Sequence, residues 1–413
     1  MSAMTTTPSE PWRGGMSVPR TAGAPGVERV AIACLLGFVA ALQISIAAAQ
    51  ILLAATVLCW AFMLVRDRTW PAVPSFFLPL AVYAGATLVS SFFSIDPRTS
   101  FIDDKQLVLF AIVPLVYDLA RGHRATTVID VILAVGAASA VYGIVQYGIL
   151  HYDNLGRRPE GALTHYMTYS GILMLVICAV VARLVFGSRD RTWPALVMPA
   201  LVIALALTFT RSAWVGACAG VGLLLVLKDF RLTALLPVVI ALLFAFAPDA
   251  ITHRMMSMFN DQDPANLDRI AMVDMGARMI ADHPLTGVGP NMVPRVYAMY
   301  RPDYAVNRTN PHLHNVPLQI GAERGLPALA IWLWFIGALV LTAFREFRGA
   351  GNRILSATAL AAVAAMLAAG LFEYNFGDSE FLMMFLVLVT LPFAALRPAA
   401  EDRGHRAAAT ARG

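Results

Sequence analysis

Lysine is almost missing from this chain of 413 residues, which has only Lys105 and Lys228 among its 31 basic side chains. Charged residues of both signs make up 14% of the sequence, whereas a soluble globular domain carries about 25%. Together with a hydrophobic content of 58%, this low charge excludes an ordinary soluble protein, because so much apolar surface has to be hidden in lipid.

The four cysteines form no pattern that points to chemistry. Cys34, Cys59, Cys178 and Cys218 all lie inside apolar runs, without the spacing of a metal site or a disulfide framework. We therefore expect each of them to pack as a small apolar side chain. The sequence also has no internal repeat, although transporters usually carry one.

Long apolar runs are what the sequence does contain. A membrane-spanning helix needs about 20 such residues, and twelve runs approach that length. They cover residues 28–45, 47–65, 74–93, 106–120, 126–149, 164–186, 194–210, 212–227, 232–248, 325–344, 354–372 and 381–397. The stretch 195–227 would be about 50 Å long as a single helix, which is too long for a bilayer. We therefore predict two helices that meet at Arg211, the charged residue that interrupts the stretch.

The distribution of basic residues predicts the orientation of these spans. When loops are assigned to alternate sides and the long polar segment 249–324 is left out, one side holds 19 lysines and arginines and the other holds 5. Basic residues concentrate on the cytoplasmic side, so both termini are predicted to be cytoplasmic. The long segment, Arg211 and the acidic stretch 373–380 then share the periplasmic face of a bacterial inner membrane.

This layout predicts an all-α integral membrane protein with about 12 transmembrane helices and one long periplasmic loop. The loop is too small and polar for an independent domain, so we expect short helices that pack onto the spans as a lid. The predicted parts are a disordered cytoplasmic tail at 1–26, transmembrane helices 1–9 at 27–248, the periplasmic loop at 249–324, transmembrane helices 10–12 at 325–397 and a cytoplasmic tail at 398–413.

Residues 310–315, Asn-Pro-His-Leu-His-Asn, lie at the end of the long loop, just before an apolar span. A neutral imidazole at that boundary can accept a proton near neutral pH, which makes His314 a candidate general base. The rings of His312 and His314 would point to opposite faces of an extended chain, so we expect them to differ in role. Asn315 could orient a ring or bind a sugar hydroxyl.

Arginines are predicted to converge on the same face. Arg211 is costly between two apolar spans and therefore tends to be functional or paired, although it could also snorkel to the interface. Arg269 begins a helical pattern in the long loop, and Arg157 and Arg158 lie in another outer loop. Planar guanidinium groups at one site suit bidentate binding of phosphate or pyrophosphate.

A metal site is the alternative use of these histidines. It would need three or four ligands. The candidates are nearby carboxylates together with His253, His283, His312 and His314. Their spacings match no usual pattern, and Asp261 and Asp263 resemble a polar turn before Pro264 as much as an ion-binding pair. We therefore predict no metal. The acidic segment 373–380 could orient His314 or an arginine, or bind hydroxyls.

Six segments, taken in this order, resemble the O-antigen ligase and polymerase superfamily. They are Thr210-Arg211-Ser212-Ala213-Trp214, residues 282–289 (Asp-His-Pro-Leu-Thr-Gly-Val-Gly), His312-Leu313-His314-Asn315, Gln319, Glu323-Arg324-Gly325-Leu326 and residues 373–380. The resemblance covers roughly residues 157–380, and the long outer loop before the last spans agrees with it. It implies a membrane glycosyltransferase of the broad GT-C type.

The resemblance also implies roles for individual residues. The family's essential histidine corresponds to His314, the arginine after the seventh span to Arg211, and the essential loop arginine to Arg269, with Arg278 and Arg295 nearby. The supporting residues are then His312, Asn315, Arg157, Arg158, Arg295, Glu373 and Asp378. The similarity implies neither a metal nor another cofactor.

An O-antigen ligase of this kind would transfer an undecaprenyl-pyrophosphate-linked glycan to lipid A–core oligosaccharide in the periplasm, with inversion. Its expected partners are that donor, that acceptor and membrane lipid, and no nucleic acid. An O-antigen polymerase and a protein O-oligosaccharyltransferase stay open, because the acceptor cannot be read from the sequence. A transporter or flippase for lipid-linked sugars is the alternative from another class, but the nearly charge-free spans argue against it.

Overall fold

The computed structural model describes residues 25–188, 191–246, 249–260, 262–349 and 351–398, and this part of the chain is helical without strands. The prediction of an all-α protein is thereby confirmed for these residues. Residues 1–24 and 399–413 of the two predicted tails, and Asp261 of the predicted acidic turn, lie outside the described ranges.

The helices before the long polar segment overlap the predicted apolar runs, apart from α4, which lies between two of those runs. They are α1 (Pro25–Ala41), α2 (Ile46–Asp67), α3 (Phe77–Phe92), α4 (Pro97–Asp103), α5 (Ile112–Leu119), α6 (Arg124–Gly148), α7 (Tyr166–Phe186), α8 (Thr192–Leu207), α9 (Arg211–Lys228) and α10 (Leu235–Phe246). The run predicted as a fourth span differs, because it starts as a 3-10 helix at Asp104–Ala111 and continues as the short α5.

The long polar segment contains short helices and leads into the last apolar ones. They are α11 (Asp249–Met256), α12 (Pro264–Asp282), α13 (Val293–Tyr300), α14 (Val316–Arg348), α15 (Arg353–Gly370) and α16 (Ser379–Ala395). In the described residues six helices, α2, α6, α7, α9, α14 and α15, are long and apolar enough to cross a membrane. The count of twelve spans stays a prediction.

The apolar stretch 195–227 divides at the position that its length predicts. Helix α8 ends at Leu207, and the Thr208 hydroxyl donates to the Leu205 carbonyl at 2.7 Å. Phe209 then adopts a positive φ of 54°, which turns the chain before α9 begins at Arg211. Arg211 is thereby placed at the N-terminal end of a helix.

Helix α9 packs very closely along α15, and the two run in opposite directions. Their contact depends on Gly216 and Gly220, where an added Cβ would lie only 2.8 Å from the Ala365 carbonyl oxygen and 2.9 Å from that of Ala361. Because the helices are antiparallel, the start of α9 lies next to the end of α15. The segment 371–378 therefore reaches the neighbourhood of Arg211.

The polar segment is joined to the spans through a small apolar core. This core contains Met272, Met275, Met279, Val293, Val296 and Tyr297 from α12 and α13, together with Leu313 and Ala322. Ala322 belongs to α14, so the segment shares its core with a long apolar helix. It packs onto the helices as a covering layer.

Helix α14 is interrupted at Gly325, where φ is 81° and ψ is 168°. An interrupted helix leaves carbonyl groups without helical partners. The backbone N–H groups of Val288 and Gly289 donate to the carbonyls of Ala322 and Glu323 at 2.9 Å each. The segments 282–289 and 323–326 are thus complementary parts of one structural joint, and this joint supports the first turns of α14.

Candidate active site

The loop that carries the two histidines is clamped onto α12. Asp268 is buried, and its carboxylate accepts the side-chain amides of Asn307 and Asn310 at 2.7 and 3.0 Å. It also accepts the Asn307 backbone N–H at 3.1 Å. On the other side, the Leu313 N–H donates to Oε1 of Gln319 at 2.6 Å. These bonds hold the loop between α12 and α14.

His312 and His314 lie side by side, so the prediction that their rings point to opposite faces is wrong. His314 adopts a positive φ of 50°, and this left-handed conformation turns the chain at that residue. Its N–H donates to Nδ1 of His312 at 3.3 Å, and the two ring centroids are 4.1 Å apart. Both rings consequently face Glu373, in the segment between α15 and α16.

Glu373 sets the orientation and the tautomer of His314. Its two carboxylate oxygens lie 3.1 and 3.0 Å from Nδ1 of His314, and Oε1 accepts the Tyr374 N–H at 3.1 Å. Burial alone would raise the pKa of Glu373, but the bond from His314 and the two imidazoles lower this pKa to about 2. The ionised carboxylate can only accept, so Nδ1 of His314 carries the proton and Nε2 keeps its lone pair.

Arg211 lies at a helix N-terminus, a position that attracts anions. It is buried at the N-terminal end of α9, and Nη1 donates to both the carbonyl and the hydroxyl oxygen of Ser257 at 3.1 Å. Asp263, which also caps α12, lies 3.4 Å from Nη2. The helix N-terminus adds partial positive charge to that of the guanidinium.

Two further arginines lie close enough to Arg211 for its positive charge to lower their pKa values. Burial and the Arg211 guanidinium lower the pKa of Arg269, whose Nε donates to the Phe372 carbonyl at 3.3 Å. Burial, Arg211 and then Arg158 lower the pKa of Arg254 to about 10, and its Nε donates to the Phe209 carbonyl at 3.4 Å. The cluster concentrates positive charge that an anionic ligand would neutralise.

A cavity of about 510 Å³ is lined by His314 together with two of these arginines. Arg211, Arg269 and Asn315 line it on the polar side. Its apolar side is formed by Val215, Met258, Phe259, Ile270, Val273, Leu371 and Phe372. The structure therefore brings the predicted base and both predicted pyrophosphate-binding arginines into one cavity with an apolar wall.

Asn315, Arg158 and Asp378 also lie near this region. Asn315 caps α14, because its Oδ1 accepts the Leu318 N–H at 2.9 Å. Burial and the positive charge of Arg211 lower the pKa of Arg158, whereas its interaction with Tyr166 raises this pKa. Asp378 caps α16, and it lines a second cavity of about 300 Å³ together with His312 and Glu373.

Arg157 and Arg295 make contacts of another kind. Arg157 is exposed, and its guanidinium lies 4.2 Å from the centre of the Tyr152 ring. Arg295 pairs with Asp96 and donates to the Thr99 hydroxyl at 2.9 Å. Both contacts have a structural purpose, and neither places the guanidinium beside His314.

Sequence reasoning missed Arg254 and the part played by Ser257. Arg254 lies in the last turn of α11 and Ser257 directly follows that helix, both more than 40 residues from Arg211 along the chain. An arginine carries little information in a sequence that uses arginine for nearly every basic residue. The one available signal was that Arg254 adjoins His253 in a short polar stretch that follows an apolar run.

Two histidines and a carboxylate form a group with metal-ligand geometry. Single ligand atoms of His312, His314 and Glu373 all lie within 4.8 Å of one another. The prediction of no metal rested on the spacing of the histidines. It did not consider Glu373 as a third ligand, because this residue is 59 residues from His314 along the chain.

Comparison with protein-family models matches residues 195–333 to the family described as O-antigen ligase. The predicted resemblance is thereby confirmed over this range, which includes Arg211, Arg254, Arg269 and His314, whereas Glu373 lies beyond it. Members of this family are membrane glycosyltransferase-like enzymes, and the six apolar helices agree with a multi-pass membrane protein. The search among curated proteins gave no match.

Proposed function

We propose that this chain, whose residues 195–333 match the O-antigen ligase family, transfers a glycan from undecaprenyl pyrophosphate to lipid A–core oligosaccharide at the periplasmic face of the inner membrane. One observation carries the proposal. His314, held through Nδ1 by Glu373, shares a cavity with Arg211 and Arg269. A base and an anion site are the two groups that transfer from a pyrophosphate carrier requires.

His314 acts as the general base on the acceptor. The free Nε2 takes the proton from an acceptor hydroxyl, and the oxygen then attacks the anomeric carbon of the donor. Glu373 stabilises the imidazolium that forms, as a carboxylate does for the histidine of a catalytic triad. General-base assistance of this kind contributes about 10²- to 10⁴-fold to the rate.

The arginines hold the leaving group. The bond between the anomeric carbon and the pyrophosphate oxygen breaks as the new glycosidic bond forms on the opposite face, so the configuration inverts. The negative charge left on undecaprenyl pyrophosphate is stabilised by Arg211, Arg269 and Arg254, in a partly buried site where such contacts are strong. The donor is already activated, so the step needs neither a nucleotide nor a metal ion.

The apolar wall of the cavity suits the lipid end of the donor. Phe259, Ile270 and Val273 are more than half exposed, although they lie beside charged groups. Apolar side chains next to a phosphate site can contact the first isoprene units of a polyprenyl carrier. The donor would thus be bound by charge at its pyrophosphate and by apolar contact at its chain.

The test is transfer with purified donor and acceptor in the presence of EDTA. His314→Ala is expected to abolish detectable transfer, whereas His283→Ala, which changes a histidine at the end of α12, should retain it. Undiminished transfer by His314→Ala would show that His314 is not the general base. If the wild-type protein loses transfer activity in EDTA and recovers it when Mg²⁺ is added, the metal-free mechanism is wrong.

The product identifies the acceptor. In a deletion strain, a ligase defect leaves polymerised glycan on the carrier and none on lipid A–core. Short glycan on the carrier would instead indicate a polymerase, and unglycosylated protein with normal lipopolysaccharide would indicate a protein O-oligosaccharyltransferase. Movement of labelled donor across proteoliposomes without covalent transfer would indicate a flippase.

Arg254 provides a separate test of the anion site. Arg254→Ala is expected to raise KM for the lipid-linked donor and to lower kcat by at least about tenfold, because it removes a charge next to Arg211. The matched control is Arg278→Ala, which removes an exposed arginine paired with Asp274 at 2.6 Å. Equal kinetics for both variants would remove Arg254 from the site.

A further inference from the structure

The group formed by His312, His314 and Glu373 has the dimensions of a zinc site. Measured to one carboxylate oxygen, Oε1 of Glu373, the distances are 3.1 Å from Nδ1 of His314 and 3.6 Å from Nε2 of His312. Zinc bonds to nitrogen and oxygen are about 2.0–2.2 Å long, so two ligands of a tetrahedral ion lie about 3.3 Å apart. Two of the three ligand pairs thus need to shift by only a few tenths of an ångström.

The ring nitrogens are already directed for this use. Nδ1 of His312 accepts the His314 N–H at 3.3 Å, so the nitrogen that faces Glu373 is Nε2. Glu373 is held by the Tyr374 N–H, and the loop between the histidines is held by Gln319. Ligands fixed by outer contacts bind metal more tightly, because less order has to be created on binding.

The group is also accessible. The side chains of His312 and His314 are 24% and 16% exposed. His312 and Glu373 line the second cavity of about 300 Å³, which gives room for a water molecule as the fourth ligand. Three protein ligands and one open position are an arrangement that zinc accepts.

We propose that His312, His314 and Glu373 bind Zn²⁺ or a similar borderline metal ion, and that this binding inhibits the enzyme. The inference rests on the proposed role of His314 as the base. A metal bound through the Nδ1 lone pair requires the single N–H proton of the neutral ring to move from Nδ1 to Nε2. The lone pair that would accept the acceptor's proton is gone, so metal binding and catalysis exclude each other.

The donor set selects the kind of ion. Two imidazoles and one carboxylate suit Zn²⁺, Ni²⁺ and Cu²⁺, whereas Mg²⁺ and Ca²⁺ prefer six or more oxygen ligands. Inhibition is therefore expected from Zn²⁺ at micromolar levels and not from Mg²⁺ at millimolar levels.

The test is metal binding by the purified, metal-stripped full-length protein, followed through the visible absorption of Co²⁺ and by calorimetry with Zn²⁺. One ion per chain is expected. His312→Gln should weaken binding by at least about tenfold, and Glu373→Gln serves as a second variant if the first folds poorly. His283→Gln is the control and should bind as the wild type does.

Glycan transfer measured beside binding separates this inference from the proposed function. Transfer is expected to be lost over the same Zn²⁺ concentrations at which Zn²⁺ binds, and to recover when EDTA is added. The activity that His312→Gln retains should be at least about tenfold less sensitive to Zn²⁺ than that of the wild type. Absence of saturable binding, equal binding by His312→Gln, or stimulation by Zn²⁺ would overturn the inference. Failure to detect transfer to any acceptor would overturn the proposed function and leave the binding result intact.

Discussion

At the scale of single residues, the contact between His314 and Glu373 determines what chemistry this site can perform. A histidine in a polar loop is uninformative until the proton on its ring is located. Here an ionised carboxylate about 3 Å from Nδ1 locates that proton and leaves the lone pair on Nε2, and His314 itself lines the cavity. The positive φ of His314 is the local feature that makes the contact possible.

Glu373→Gln tests this contact directly. An amide can donate to Nδ1 and hold the ring in the wrong tautomer, so kcat is expected to fall about 10²- to 10⁴-fold while KM for the donor changes little. Steady-state transfer kinetics in EDTA provide the measurement. The control is Glu380→Gln, in the first turn of α16, which should remain within about twofold of wild type. A parallel loss in both variants would point to general damage of the segment.

The neighbouring histidine predicts a pH dependence of stability. Burial and the charge of His314 lower the pKa of His312 from 6.5 to about 4. Between those values the unfolded chain binds a proton that the folded protein does not, so stability falls as the pH drops through this window. Glu373 has its pKa lowered from 4.5 to about 2, and its contribution is lost in a lower window as the pH falls from 4.5 toward 2.

His312→Gln should therefore flatten the upper window. The apparent Tm in detergent with EDTA is expected to fall less between about pH 6.5 and pH 4 in this variant than in wild type. His283→Gln should keep the wild-type slope. A variant with an unchanged slope would show that His312 is not held neutral in the folded protein.

At the scale of helices and loops, the interruption of α14 positions the loop that carries His312 and His314. The first turns of α14 contact α12 and directly follow this loop, so their direction sets where His314 lies. Gly325 is required there, because φ is 81° and an added Cβ would lie 2.2 Å from the Leu285 carbonyl oxygen.

Gly325→Ala is expected to destabilise the protein by about 1–3 kcal/mol and to lower transfer activity with it. The same helix offers a control in Gly337, where an added Cβ would meet nothing within 4 Å. Thermal unfolding in detergent and transfer activity should both distinguish the two variants. If Gly325→Ala unfolds at the same temperature as Gly337→Ala, the joint between segments 282–289 and 323–326 does not contribute the stability inferred for it.

Features governed by length or composition could be predicted at this scale, and so could the approach of Arg211, Arg269 and segment 373–380 to His314, whereas the detailed contacts between these distant segments could not. The turn before Arg211 followed from the length of an apolar run relative to bilayer thickness. The pairing of His312 with His314 depends on one left-handed residue, which no local pattern signals. Arg254 was missed because its neighbours Arg211 and Arg158 are distant in sequence. Its helix, α11, reaches the start of α9 because Ile251 packs against Leu207 and Phe209.

At the scale of the whole molecule, the two ends of the helices differ in a way that suits a one-sided enzyme. At one end, buried Asp118 accepts hydrogen bonds from Trp60, Arg121 and Arg397 at 3.1, 2.6 and 2.8 Å, which ties α2, α5 and the end of α16 together. The other end holds the cavity with His314 and the arginines. Polar groups are thus satisfied internally at one end and available to a ligand at the other.

The proposed function requires the cavity end to face the periplasm, and this orientation is testable with single cysteines. Met299 of α13 is 78% exposed at the cavity end, and Trp70, which follows α2, is 93% exposed at the other. Met299→Cys is expected to react with a membrane-impermeant maleimide in cells with a permeabilised outer membrane. Trp70→Cys should react only after the inner membrane is opened, because basic residues beside it predict a cytoplasmic position. The wild-type chain measures the background from its four cysteines, which lie in apolar helices. The reverse labelling pattern would place His314 in the cytoplasm, where a periplasmic acceptor cannot reach it.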